Sequence, residues 1–179
     1  GIIGGIGSYM RSTRVNWDIF LEEDYRARIA GLARWKGYGI IADFDDPAIS
    51  EALLTIKTPV VAVGSSYENE SEYPKNIPYV ATDNKQLVGM ALDHLISSGL
   101  TNFAMYSLPC APTNRWAQER ERAFTRRVPN GTIYQGIRTR VKDWDSGLKK
   151  LGQWLHSLPK PVGIVAITDA RARHLLQAC

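Results

Sequence analysis

Cysteine occurs only twice in these 179 residues, at Cys110 and Cys179, and that scarcity removes two classes of small protein. Two thiols are too few for a disulfide framework and lack the spacing of a metal site, so buried or incidental thiols are expected. Long apolar runs are also missing. Nothing approaches the roughly 18 consecutive apolar residues that a membrane-spanning helix needs, so no membrane partner is expected. There is no large excess of one charge, and a net +4 is too small by itself to argue for nucleic acid. No secretory leader is visible, which carries little weight in a chain that does not open on Met. The 44% hydrophobic and 22% charged content is that of an ordinary soluble globular protein with a substantial core.

Catalytic signatures are absent as well. The glycine-rich opening, GIIGGIGSYMRS, invites comparison with a phosphate loop, but it has no Gly-Lys-Ser/Thr ending and no preceding strand. Ile2, Ile6, Tyr9 and Met10 instead form one helical stripe over residues 1–12, with the glycines allowing close helix packing. There is no nucleophile elbow and no metal triad. His94, His156 and His174 fall on predicted helices without visible partners, which leaves them core or surface roles.

What is present is an alternation of strands and helices. Residues 79–106 read as strand, turn, amphipathic helix, turn and strand. Thr82 and Asp83 stand at the N-cap, Leu87, Met90, Ala91 and Leu95 share one face, and Gly99 fits a left-handed stop. A β-α-β unit of this kind predicts two parallel strands that are neighbours or near neighbours. The strand-to-helix junction recurs at residues 163–176, where Thr168 and Asp169 again close an apolar strand.

The rest of the chain follows the same logic. Residues 17–22 predict a strand and 25–36 a helix. Residues 39–42 predict the next strand, followed by Asp43, Phe44, Asp45 and a helix with Asp46 as N-cap and Pro47 in its first turn. Asp43 and Asp45 are left with no structural duty. Residues 58–64 predict a strand, and 65–75 a polar loop with no detectable site. Residues 112–128 predict a helix in which Arg120 lies four residues from both Trp116 and Phe124. That spacing turns Arg120 inward and lets Arg122 and Arg126 face out. An inward guanidinium needs compensation: a structural ion pair, a snorkelling path to water, or a ligand. Residues 132–136 predict a short strand, and Trp144, Leu148, Leu151, Leu155 and Leu158 an inward helical stripe. Trp144 is either a hydrophobic staple or a ring facing a cleft. Asp169 is either a helix cap or a ligand contact. Residues 111–150 hold ten Lys or Arg against four Asp or Glu, which a solvated helix surface accounts for.

This alternation predicts an α/β protein with doubly wound parallel sheets. Ligands of such sheets collect beyond the carboxyl ends of the strands, where Asp43, Asp45 and Asp169 fall. Carboxylates, an inward Arg and a Trp suit a neutral sugar, through acceptors and donors for hydroxyls and a flat apolar face for the ring.

The segments WDIFLEEDYRARI, GIIADFDD, YVATDN running to HLISSGL, RWAQERERAF and GIVAITDARARHLLQAC give the chain a resemblance to the sensor region of LacI/GalR-type regulators. That region is similar to the periplasmic sugar-binding proteins, and within the family the chain more closely resembles activators that join such a sensor to an AraC-type DNA-binding domain. The resemblance implies a two-lobed periplasmic-binding-protein-like fold truncated at both ends, with residues 1–80 as an N-terminal lobe lacking its first strand and 81–179 as an incomplete C-terminal lobe. It implies a cytoplasmic, homodimeric, non-enzymatic sensor that uses no cofactor or metal, takes a small sugar effector with D-xylose favoured, and reaches DNA through a domain beyond this chain. Its sugar contacts carry over to Arg120, to Trp144 in a D-W pair, and to Thr168 and Asp169, where the family has Asn-Asp. Asp43 and Asp45 face them from the other lobe. A missing central strand would leave the first sheet unfilled or rearranged and weakly stable alone. A periplasmic sugar-binding protein and an α/β enzyme on phosphosugars are the rival expectations.

Overall fold

Short apolar runs, most of them followed by an amphipathic stretch, produce two parallel sheets. The computed structural model describes residues 1–21, 31, 35–111, 114–137 and 144–179. Strands β1 (Ile40–Asp43), β2 (Val60–Ser65) and β3 (Tyr79–Thr82) form the first sheet, in the order β1-β2-β3. Ile40 stands opposite Val60, and Ala62 opposite Tyr79. Strands β4 (Asn102–Tyr106), β5 (Thr132–Tyr134) and β6 (Val162–Ala166) form the second, in the order β5-β4-β6. Both sheets are parallel, as expected.

The helices are α1 (Ile2–Thr13), α2 (Pro47–Leu54), α3 (Asn84–Ser97), α4 (Arg115–Arg127), α5 (Trp144–Ser157) and α6 (Asp169–Ala178). The second sheet is covered on both faces. On one face Met105 and Val165 pack with Val88 and Leu92 of α3 and with Ala123 and Phe124 of α4. On the other, Tyr106 packs with Leu151 of α5 and Leu175 of α6. Among the described residues the first sheet has one packed face, where Phe44, Val60 and Ala62 meet Ile49 and Leu53 of α2. Ile41, Val61 and Val80 remain 49%, 36% and 63% exposed on the other. Its three strands pair directly, with no gap between them.

Local signals held at the caps. The Asp46 carboxylate accepts from the Ala48 amide at 3.0 Å, with Pro47 at the first helical position. The Asp83 carboxylate accepts from the Gln86 amide at 2.8 Å. Gly99 takes the left-handed conformation, φ 82°, that ends α3.

Several expectations are corrected. The strands flanking α3 are not neighbours: β3 belongs to the first sheet and β4 to the second, so 79–106 carries the chain from one sheet to the other. The buried stripe of α3 is also rotated, with Val88 and Leu92 inside while Leu87 and Met90 are 41% and 67% exposed. Helix α4 sets that face, since α3 packs on α4 and β6. Residues 17–21 are not a strand, because no described strand lies beside them to take their hydrogen bonds. Helix α1 forms, but it buries no residue, and a Cβ at Gly4 or Gly5 would meet nothing within 4 Å, so those glycines serve no close packing. The helix expected over 25–36 falls mostly outside the described residues, and Trp35 and Lys36 are non-helical. Thr168, not Asp169, is the N-cap of α6: its hydroxyl accepts from the Arg171 amide at 3.2 Å. Both thiols are free and exposed, which fits incidental thiols and not buried ones.

Candidate functional site

The carboxyl ends of the two sheets are joined by a buried polar network. At the end of β1 the Asp43 carboxylate accepts from the Asp45 amide at 2.9 Å, closing a local turn. This turn aims Asp45 at β2, where its oxygens accept from the Ser65 amide at 3.0 and 3.2 Å and from the Ser65 hydroxyl at 2.6 Å. Both aspartates therefore have structural work that their sequence positions do not announce. Burial holds the Asp43 carboxyl above the ordinary carboxylate range, with the charges of Asp45 and Asp46 adding to the effect.

From the second half of the chain, Arg115 at the start of α4 reaches across. Its Nη2 donates to Asp45 Oδ1 at 2.5 Å, to the Ser65 carbonyl at 3.1 Å and to the Tyr79 hydroxyl at 3.0 Å. Its Nη1 donates to the Ser66 carbonyl at 2.7 Å and to Glu119 Oε1 at 3.0 Å. The guanidinium also lies 3.8 Å from the Tyr67 ring centroid. A cation on the first turn of a helix opposes the helix dipole, so this placement depends on the oxygens gathered around it. The loop 65–75, expected to hold no site, supplies three of the residues involved.

Glu119 extends the network. Its Oε2 accepts from Asn84 Nδ2 at 2.8 Å and from the Ser66 hydroxyl at 3.1 Å. Asn84 in turn accepts from Arg120 Nε at 2.9 Å, and Arg120 Nη1 donates to the Ile167 carbonyl at 2.8 Å. Arg120 does point inward, as its spacing requires, but its partners are a neutral amide and a carbonyl in place of a carboxylate. Burial accordingly lowers its pKa. Its Nη2 has no hydrogen-bond partner among the described residues.

Arg120, Thr168 and Asp169 are thus brought together at the end of β6. Asp169 is exposed and has no hydrogen bond or ion pair among the described residues. Trp144 stands apart from them. Its ring meets His174 edge-on at 4.8 Å, so that histidine has a partner after all. The two rings line a cavity with Tyr106, Tyr134, Gly136 and Arg171, beyond the ends of β4 and β5. The helix that follows β4 covers one face of the second sheet and those that follow its neighbours β5 and β6 cover the other, so the cavity lies where ligands of doubly wound sheets collect. The Tyr106 hydroxyl accepts from Arg171 Nη1 at 2.5 Å, and Tyr106, Tyr134 and Trp154 stack behind it. Ser107, next to Tyr106, carries a buried hydroxyl with no hydrogen-bond partner. On the outer face of α4, Arg122 and Arg126 pair with Glu68, as expected of outward residues. No cluster of metal-ligating side chains occurs among the described residues, and no described helix is long and apolar enough to cross a membrane.

The residues that sequence reasoning missed are Arg115, Glu119, Asn84, Ser65 and Ser66. One signal was available: Arg115 and Glu119 are four apart at a helix start, an order opposed to the dipole that calls for outside acceptors.

Comparison with known proteins accounts for nearly the whole length. Residues 1–85 match the XylR N-terminal domain family and residues 92–179 the periplasmic-binding-protein-like domain family. The chain is 46% identical to the xylose operon regulatory protein of Escherichia coli strain K12, over 99% of this chain and 46% of that protein. It is 42% identical to the protein of the same name from Haemophilus influenzae, over 99% of this chain and 47% of that one. It therefore spans about half the length of these curated relatives. Among solved structures it matches the xylose-binding transcription activator XylR with TM-score 0.86 and 43% identity, over 99% of this chain and 45% of that one. A LacI family regulator from Enterococcus faecalis with bound ribose, 18% identical with TM-score 0.65 over 98% of this chain and 64% of that one, shares the fold. The two parallel sheets and the matched halves agree: residues 1–85 belong with the XylR N-terminal domain family and residues 92–179 with the periplasmic-binding-protein-like domain family.

Proposed function

We propose that this chain is the effector-sensing region of a transcription regulator and that it binds a small aldose, D-xylose, between its two lobes. The observation that carries this reading is the unbroken likeness to xylose operon regulators, 46% identity over 99% of the chain. The site chemistry supports it. Arg120 keeps Nη2 available, Asp169 offers an unengaged carboxylate, and Thr168 lies beside them at the end of β6. Asp43 faces from the first sheet, and Trp144 and Tyr134 give flat apolar surfaces for a sugar ring. Asp45 supports the site by holding Arg115.

Sugar contacts on both lobes stabilise the arrangement in which both are within reach, and that population shift is the signal. No group transfer is involved. The output passes to DNA through a domain beyond this chain, in a cytoplasmic homodimer. The residue ranges 1–80 and 81–179 serve as the two lobes, with β3 running across the boundary.

Thermal unfolding of the full-length gene product with D-xylose and a panel of pentoses and hexoses tests this. D-xylose at about 100 times its Kd stabilises the sensor by roughly 2.7 kcal/mol, a clear shift in Tm. No shift with any sugar, in a folded protein, overturns the reading.

A further inference from the structure

We infer that Arg115 is the latch that holds the two lobes together, and that Asp45 is its anchor: a positioning residue that acts on sugar affinity without touching the sugar. This rests on the sugar-sensing reading for its functional consequence, and on the geometry alone for the latch.

Of the five hydrogen-bond acceptors of Arg115, four belong to the first sheet or the loop after it: Asp45, the Ser65 and Ser66 carbonyls, and the Tyr79 hydroxyl. Only Glu119 is on its own helix. Separating the sheets therefore strips the guanidinium of four acceptors at once, while Asp45 keeps its bonds to Ser65. The acceptors are fixed before Arg115 arrives. Ser65 orients the carboxylate through its amide and its hydroxyl, and the Tyr79 hydroxyl donates to the Ser65 carbonyl at 3.0 Å. A planar fork suits this set of converging oxygens, and an ammonium does not.

The same network reaches the proposed sugar contacts. Glu119 links Arg115 to Asn84, Asn84 accepts from Arg120, and Arg120 holds the carbonyl of Ile167 beside Thr168. Latch and ligand thus favour one arrangement of the lobes. Apparent affinity is the intrinsic affinity scaled by the fraction of molecules in the competent arrangement, so loss of the latch weakens binding with every sugar contact left in place.

The test uses the full-length gene product, calorimetric titration with D-xylose, and small-angle X-ray scattering without sugar. R115A is expected to bind D-xylose about tenfold more weakly and to show a larger radius of gyration when sugar-free. R115K, which keeps the charge and loses the fork, falls between R115A and wild type. D45N weakens binding in the wild-type background and adds nothing in R115A, because both act through one contact. A further loss from D45N in R115A overturns the positioning role and makes Asp45 a direct sugar contact. Wild-type affinity and scattering in R115A overturn the latch, and if R115A does not fold, R115K decides on the same two readouts. If the wild type binds no D-xylose, the sugar reading falls, while scattering still decides the latch.

Discussion

A methyl group at Gly64 would lie 2.5 Å from the Tyr79 hydroxyl and 2.9 Å from Asp45 Oδ1, so the Arg115 pocket depends on a residue with no side chain. Gly64→Ala is expected to destabilise the protein by about 1–3 kcal/mol through overpacking, read by urea denaturation, and to weaken sugar binding without altering any sugar contact. Arg120→Ala removes the bonds to Asn84 and Ile167, leaves a buried carbonyl unpaired, and is expected to abolish the sugar-induced Tm shift. His174 sets a pH dependence. Burial first, then the cations of Arg171 and Arg173, lowers its pKa below 6.5, beside the ring of Trp144. The native state then binds fewer protons than the unfolded chain as pH falls through 6.5. Stability is therefore full above that value and is lost on acidification down to the folded pKa. Thermal melts between pH 7.5 and 5 should show that loss in wild type and a smaller one in H174Q. Asp43 has the opposite sign in a lower window. Its raised pKa means that protonation favours the folded state as pH falls through the folded pKa toward the ordinary carboxyl value of 3.8.

At the scale of elements, caps and strands were the legible part of the sequence. The Asp46-Pro47 start, the Asp83 cap and the Gly99 stop are local chemistry, and each formed where its residues stand. Thr168→Ala should cost about 1 kcal/mol by removing the α6 cap, whereas Asp169→Ala should cost less stability and more sugar response. Faces and partners were less legible. The inward side of α3 depends on where α4 packs, so helical spacing alone puts Leu87 and Met90 inside in place of Val88 and Leu92. Arg120 could be found from its spacing to Trp116 and Phe124, which are on the same helix. Arg115 shows in sequence only its spacing to Glu119, because its other four acceptors lie in the first half of the chain, 36 to 70 residues away. Helix α1 is regular but buries nothing, and glycines weaken it. Hydrogen exchange should find its amides among the least protected, far below those of β4, which is paired on both sides.

The whole molecule is two cores of unequal cover. Among the described residues the second sheet is packed on both faces and the first on one, so heating or denaturant should loosen the first sheet earlier. The chain passes between them, among the described residues, where β3 gives way to α3. Asn84, the first residue of that helix, is clamped by Glu119 on one side and Arg120 on the other. On the latch proposal, a rotation of one lobe against the other takes this gripped crossing as its pivot, with Asn84 as the fulcrum. Arg115 shares Glu119 with Asn84 and so works at a short radius. The rotation that breaks its hydrogen bonds is a small displacement at the guanidinium and a long arc at the distant ends of the sheets: the molecule is a lever whose input arm is a few side chains wide.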